Sequence, residues 1–181
     1  MENRANRLPL SCLFPVFYIG LYCIDSYLQA GYPIAKLDTS LTKVNETVKG
    51  NSRLVYDSML KGLRQAVEHE IKIGIGTDAA MSYVTHYDMW RELDHYMRQT
   101  KLNAGQVIER VTKNEEILGI DHLTGSIDIG KQADLIVLEH NPLDNIKALS
   151  NVAMVMVRGN LIQTPSVTRI QEVDELLDSV W

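Results

Sequence analysis

A strand-like run that ends in a carboxylate, Ile71-Lys-Ile-Gly-Ile-Gly-Thr-Asp78, is the first place where this sequence offers chemistry. An aspartate at the C-terminal end of a parallel barrel strand sits where such barrels build their active sites. There a carboxylate ligates a metal ion, or takes a proton from metal-bound water as general base. By local pattern alone, an aspartate after a strand is more often a helix N-cap or a turn residue. The five histidines are His69, His86, His95, His122 and His140, and none forms an H-x-H or H-E-x-x-H pair. His86 stands eight residues beyond Asp78, at the mouth of the same loop, and suits a loop position or a substrate contact better than metal ligation. His69 falls at a helix end, where a histidine favours the dipole. His95 is expected on a solvated helix face, and His122 and His140 in turns. Cys12 and Cys23 lie eleven apart with no nearby histidine, so a catalytic thiol is not expected. Gly74-x-Gly76 lacks the third glycine of a dinucleotide fingerprint. Asp88, Glu92 and Glu109 read as solvated or capping groups on helices. Asn45-Glu-Thr47 matches a glycosylation acceptor that is idle in a cytoplasmic protein.

The elements that would position these residues follow from periodicity. Residues 25–50 are polar and irregular, with a turn at Gly31-Tyr-Pro33, and their length suits a lid or binding loop. A helix capped by Asn51 or Ser52 follows, striped by Tyr56, Met59, Leu60, Leu63 and Val67. Residues 71–78 form a strand, and this helix plus strand is half of a βα-type unit. The next helix, about residues 86–99, carries Met89, Trp90, Leu93 and Met97. Asn103-Ala-Gly-Gln106 opens another helix with a capping-box spacing, and Gly119 stops it. Beyond Gly119 the texture becomes β-rich: a strand over 133–138, a short helical turn at 145–149, and two strands tightly joined at Arg158-Gly159. Val173, Leu176, Leu177 and Val180 share one face of a last helix.

Composition narrows the function classes. The chain has 181 residues, 45% of them apolar, with a formal net charge of −5 and a pI near 5.5. That balance argues against a nucleic-acid binder, which normally presents a basic face. Two cysteines are too few for a disulfide framework. The apolar residues 8–24 are interrupted by Pro9 and Pro15 and fall short of the roughly 20 residues of a spanning helix. Within them Pro15-Val-Phe-Tyr-Ile-Gly-Leu21 reads as a buried strand, and the absence of a clean targeting signal favours the cytoplasm, with no membrane association expected.

Three segments taken together carry a resemblance: Gly76-Thr-Asp78, then Thr85-His-Tyr-Asp-Met-Trp-Arg-Glu-Leu93, then Gly125-Ser-Ile-Asp-Ile-Gly-Lys-Gln-Ala-Asp-Leu-Ile-Val-Leu138. In order and spacing they resemble the amidohydrolase superfamily, closest to its prolidase-like and imidazolonepropionase-like branch. The resemblance covers roughly residues 52–162, with Pro15 and its neighbours similar to the seventh barrel strand. It implies an α/β fold: the C-terminal part of a TIM-like (β/α)8 barrel plus a small flanking β-sandwich unit. The division it suggests is barrel strands seven and eight with their helices over 1–120, part of the sandwich over 121–165, and a C-terminal helix over 166–181.

The same resemblance implies a metal-dependent hydrolase acting on C–N bonds of a small-molecule amide. Asp78 would be both metal ligand and proton acceptor, His86 a substrate-binding residue, and the cofactor a divalent metal, zinc by expectation. The family's H-x-H pair, its bridging Lys or Glu and its later His ligands have no counterparts in this sequence. The expectation is therefore a truncated chain, inactive alone until a complementing N-terminal fragment supplies those ligands. Open strand edges also point to poor solubility or a homo-oligomer. The alternative is a non-catalytic scaffold or interaction protein, and a weaker third reading is a membrane-tethered binder.

Overall fold

The computed structural model describes residues 32–34, 45–77, 79 and 83–181. The expected strand around Pro15, both cysteines and Asp78 lie outside the described residues. Residues 32–34 are helical, where the sequence suggested a turn.

Helix α1 (Glu46–Glu68) starts earlier than expected, because Asn45 rather than Asn51 or Ser52 caps it. The Asn45 Oδ1 accepts the Val48 N–H at 2.9 Å, and Glu46 places a negative charge at the positive end of the dipole. The glycosylation-like Asn45 is thus a helix cap, and the polar loop gives up residues 46–50 to α1. The expected stripe faces inward: Leu60, Leu63 and Ala66 are buried, with Tyr56, Met59 and Val67 packed against them. Full burial of Leu63 alone contributes about 2 kcal/mol.

Residues 71–77 run without regular strand pairing among the described residues. The segment still buries Ile73 and Ile75 in alternation, as a strand with one face in the core does. Helix α2 (Met89–Thr100) follows, then α3 (Ala104–Thr112) and the short α4 (Asn114–Leu118). The capping box at the start of α3 is complete, with Asn103 accepting from the Gln106 N–H and Gln106 accepting from the Asn103 N–H, each at 3.0 Å. The single helix expected over this stretch is broken at Lys113, and Gly119 ends α4 at φ +71°. The core joins α1, residues 73–75, α2, α3 and Ile146 of a 3-10 helix (Ile146–Ser150).

The β-rich part is a three-stranded antiparallel sheet in the order β1 (Leu135–Leu138), β2 (Val152–Val157), β3 (Asn160–Ile162). Ile136 pairs with Val155, and Val155 in turn with Ile162. Arg158 and Gly159 both take positive φ, 48° and 80°, the backbone a two-residue hairpin turn requires. None of the residues in these strands is fully buried, and Ile136, Val137, Leu161 and Ile162 are exposed. Helix α5 (Gln171–Val180) buries Leu177. No helix among the described residues is long and apolar enough to cross a membrane.

Candidate functional site

The segment that leads to Asp78 is held by a side chain. Asn114, the first residue of α4, accepts the Ile75 N–H with Oδ1 at 2.9 Å and donates from Nδ2 to the Ile75 carbonyl at 2.7 Å. One amide thereby satisfies both backbone groups of Ile75, as a neighbouring strand would. Gly74 makes this approach open, since a Cβ there would lie 3.0 Å from Asn114 Oδ1. Asp78 itself is outside the described residues, three positions beyond Ile75.

His86 is exposed in the turn before α2, its ring edge-on to Tyr87 with centroids 5.2 Å apart. The turn is anchored from the far end of the chain. The Tyr87 hydroxyl accepts the Ile170 N–H at 2.9 Å, and Arg169 sits over the Tyr87 ring, 4.6 Å from its centroid.

Glu92 corrects the sequence reading, which placed it in solvent or at a cap, and Asp88 corrects it in part, standing at the N-cap position of α2 without being solvated. Both are fully buried, and Asp88 makes no cap hydrogen bond with its side chain. The Asp88 carboxylate instead accepts from the Trp90 indole at 3.1 Å, Arg91 Nε at 3.3 Å and Arg169 Nη2 at 3.2 Å. Arg91 continues the network to Asp178 on α5, and that guanidinium holds the Asp178 carboxyl below its ordinary range. Asp88 and Arg91 are thus met from the C-terminal segment, through Arg169 and Asp178. Glu109 is exposed and paired with Lys113 at 2.6 Å, as a solvated group should be.

His95 also departs from expectation. It is 2% exposed rather than solvated, because α1 and Trp181 cover that side of α2. Burial holds it at about 4, so the ring is neutral, and its Nε2 lies 2.7 Å from the Tyr56 hydroxyl. Burial pushes the Tyr56 phenol well above its ordinary value, which keeps it protonated and able to donate to His95. His122 and His140 are exposed outside regular elements, as expected, and His69 is the C-cap of α1.

No three His, Cys, Asp or Glu side chains come together as a metal cage among the described residues. Those residues therefore do not fit a metal centre by themselves. Three residues escaped the sequence reading. Asn114 carried no signal, because its partner is a backbone group 39 positions away. Arg91 and Arg169 were hidden likewise, although Asp88, Glu92 and His95 share the i, i+4, i+7 spacing of a core-facing stripe.

Comparison with known proteins places this arrangement. The sequence profile of the amidohydrolase family matches residues 24–162. Imidazolonepropionase of Thermoplasma acidophilum is 29% identical over 116 residues, covering 62% of this chain and 28% of that protein. A Bifidobacterium longum crystal structure assigned as a prolidase superposes with a TM-score of 0.81 at 37% identity, over 85% of this chain and 38% of that one. A Xaa-Pro dipeptidase with methionine bound in its active site gives 0.65 at 28% identity, over 78% and 34%. The chain spans about a quarter of the length of several curated relatives it matches and about half the length of another.

Proposed function

This chain belongs to the amidohydrolase family, and on that footing we propose that it contributes the C-terminal part of a site that hydrolyses a C–N bond in a small molecule. The observation that carries the reading is the coincidence of two things. The family match runs through residues 76–93, and Asn114 binds the backbone of Ile75 while the turn bearing His86 is bound in place by the C-terminal segment. Asp78 takes the proton of the attacking water and passes it to the leaving nitrogen, a task suited to a fixed carboxylate at a barrel strand end. His86 contacts substrate. The similar proteins named as prolidase, dipeptidase and imidazolonepropionase support an amide of a small molecule as substrate class.

In this reading residues 1–120 are barrel, with strands seven and eight, residues 121–165 belong to a small β-sandwich, and residues 166–181 form a closing helix. Members of the family generally depend on a divalent metal, which activates water. The described residues do not assemble the three protein ligands a catalytic zinc ion needs. Turnover then requires ligands beyond these residues, from a complementing chain or chain segment. The test is an assay of the purified chain on Xaa-Pro dipeptides and N-acyl amides, with and without added Zn²⁺ or Mn²⁺, reading amine release. We expect none from the chain alone; metal-dependent release that disappears in Asp78→Asn would show that the chain is a complete catalyst.

The second reading is a non-catalytic interaction protein. It is favoured by the exposed Ile127, Ile129, Ile136 and Val137 and by the unpaired outer edges of β1 and β3 among the described residues. Self-association that buries these side chains, with no contribution to turnover in any assembly, is what this reading requires.

A further inference from the structure

We propose that Arg169 is a positioning residue for His86 and acts through Tyr87. The inference rests on the reading of His86 as a substrate contact, but its geometry is independent of that reading. Tyr87 is gripped from two sides by consecutive residues of the C-terminal segment. Its hydroxyl accepts the Ile170 backbone N–H at 2.9 Å, and the Arg169 guanidinium carbon lies 4.6 Å from its ring centroid. The same ring meets the His86 imidazole nearly perpendicularly, with centroids 5.2 Å apart and planes at 75°. An edge-to-face pair of this kind orients both rings.

Arg169 is itself held by charge. Its Nε donates to Asp174 Oδ2 at 2.8 Å and its Nη2 to Asp88 Oδ1 at 3.2 Å. Asp88 is fully buried and tied to Trp90 and Arg91, so it is a fixed anchor. With both edges of the guanidinium occupied, its flat face is presented to Tyr87, an arrangement for which arginine's planar fork is suited. An exposed histidine in a turn would otherwise rotate freely about χ1 and χ2. Here its neighbour is immobilised by a segment more than 80 residues distant in sequence.

The test uses the full chain and two readouts: the imidazole Cε1–H resonances in a ¹H–¹³C spectrum, and carbethoxylation of each histidine followed by mass spectrometry. His86→Ala assigns the His86 signal. In Arg169→Ala the His86 resonance should move toward those of the exposed His122 and His140. Its modification rate should rise about two- to fivefold, the population change that loss of a half-exposed cation–π contact permits. The rates of His122 and His140 should not change. Arg169→Lys, which keeps a cation near Tyr87 and Asp88, should restore much of the wild-type behaviour. A lower melting temperature in Arg169→Ala with the His86 signal and rate unchanged would overturn the proposal, leaving Arg169 as a structural latch. Should Arg169→Ala fail to fold, Tyr87→Leu keeps the Asp88–Arg169 pair and carries the same expectation, and an unchanged His86 there overturns it equally. Failure of the substrate reading is seen separately: in an active assembly, His86→Ala would leave KM unaltered while the resonance results stand.

Discussion

Asn114 pairs with Ile75 through both ends of its amide, at 2.9 Å to the N–H and 2.7 Å to the carbonyl, and so stands in for a strand neighbour beside the segment that carries Asp78. Removing the amide strands two partly buried backbone groups. Asn114→Ala should therefore cost about 1–3 kcal/mol in urea denaturation, with hydrogen exchange accelerated at the Ile75 amide and unchanged in the middle of α2. Asn114→Asp keeps the acceptor but sets a carboxylate against the Ile75 carbonyl, so it should recover little. Gly74→Ala should act in the same direction, since its Cβ would press on Asn114 Oδ1.

His95 makes stability depend on pH. Burial lowers it from 6.5 to about 4 in the folded chain, so between those values the unfolded chain binds a proton that the folded one does not. Stability is full above about pH 6.5 and falls as the pH drops toward 4, by about 3 kcal/mol over the whole window. His95→Gln, whose side-chain oxygen can still accept from Tyr56, should flatten this slope. Urea midpoints of both chains at about pH 7.5 and about pH 4.5 measure it. An equal slope in the two would assign the acid sensitivity to other groups.

Asp88 neutralises a buried guanidinium. Asp88→Ala leaves Arg91, 1% exposed, with Asp178 as its remaining ion-pair partner among the described residues and should cost about 3–5 kcal/mol. Replacing both residues, Asp88→Leu with Arg91→Met, should recover a substantial part, because an apolar pair needs no compensating charge. A double-mutant cycle read by thermal or urea unfolding gives the coupling directly.

Gly125 is required twice over. Its φ is +90°, and a Cβ there would collide with the Glu115 carboxyl group. Gly125→Ala should cost about 1–3 kcal/mol, and adding Glu115→Ala should relieve the collision but not the backbone strain.

What could be read from the sequence was what is local. The Asn103–Gln106 capping box, the Arg158-Gly159 hairpin and the apolar stripe of α1 each depend on residues within a turn or two of one another, and each appears in the structure. The start of α1 was misplaced because Gly50, Asn51 and Ser52 are poor helix formers, and the Asn45 cap outweighs them. The burial of Asp88 and His95 was illegible, since Arg169 and Trp181 arrive from some 80 residues away. Asn114 was missed for the same reason, because its partner Ile75 lies 39 positions away in sequence. The strand expected over residues 71–78 keeps its alternating burial, but its described partner is a side chain.

The most direct test of the hydrolase reading is a chimera in which this chain replaces the matching part of its Bifidobacterium longum relative, checked for folding by circular dichroism and assayed on Xaa-Pro dipeptides. If Asp78 carries the proton transfer, the chimera cleaves the dipeptide, and Asp78→Asn lowers kcat by about 10²-fold or more with the fold intact. A folded Asp78→Asn chimera that turns over as fast as its parent would contradict the account.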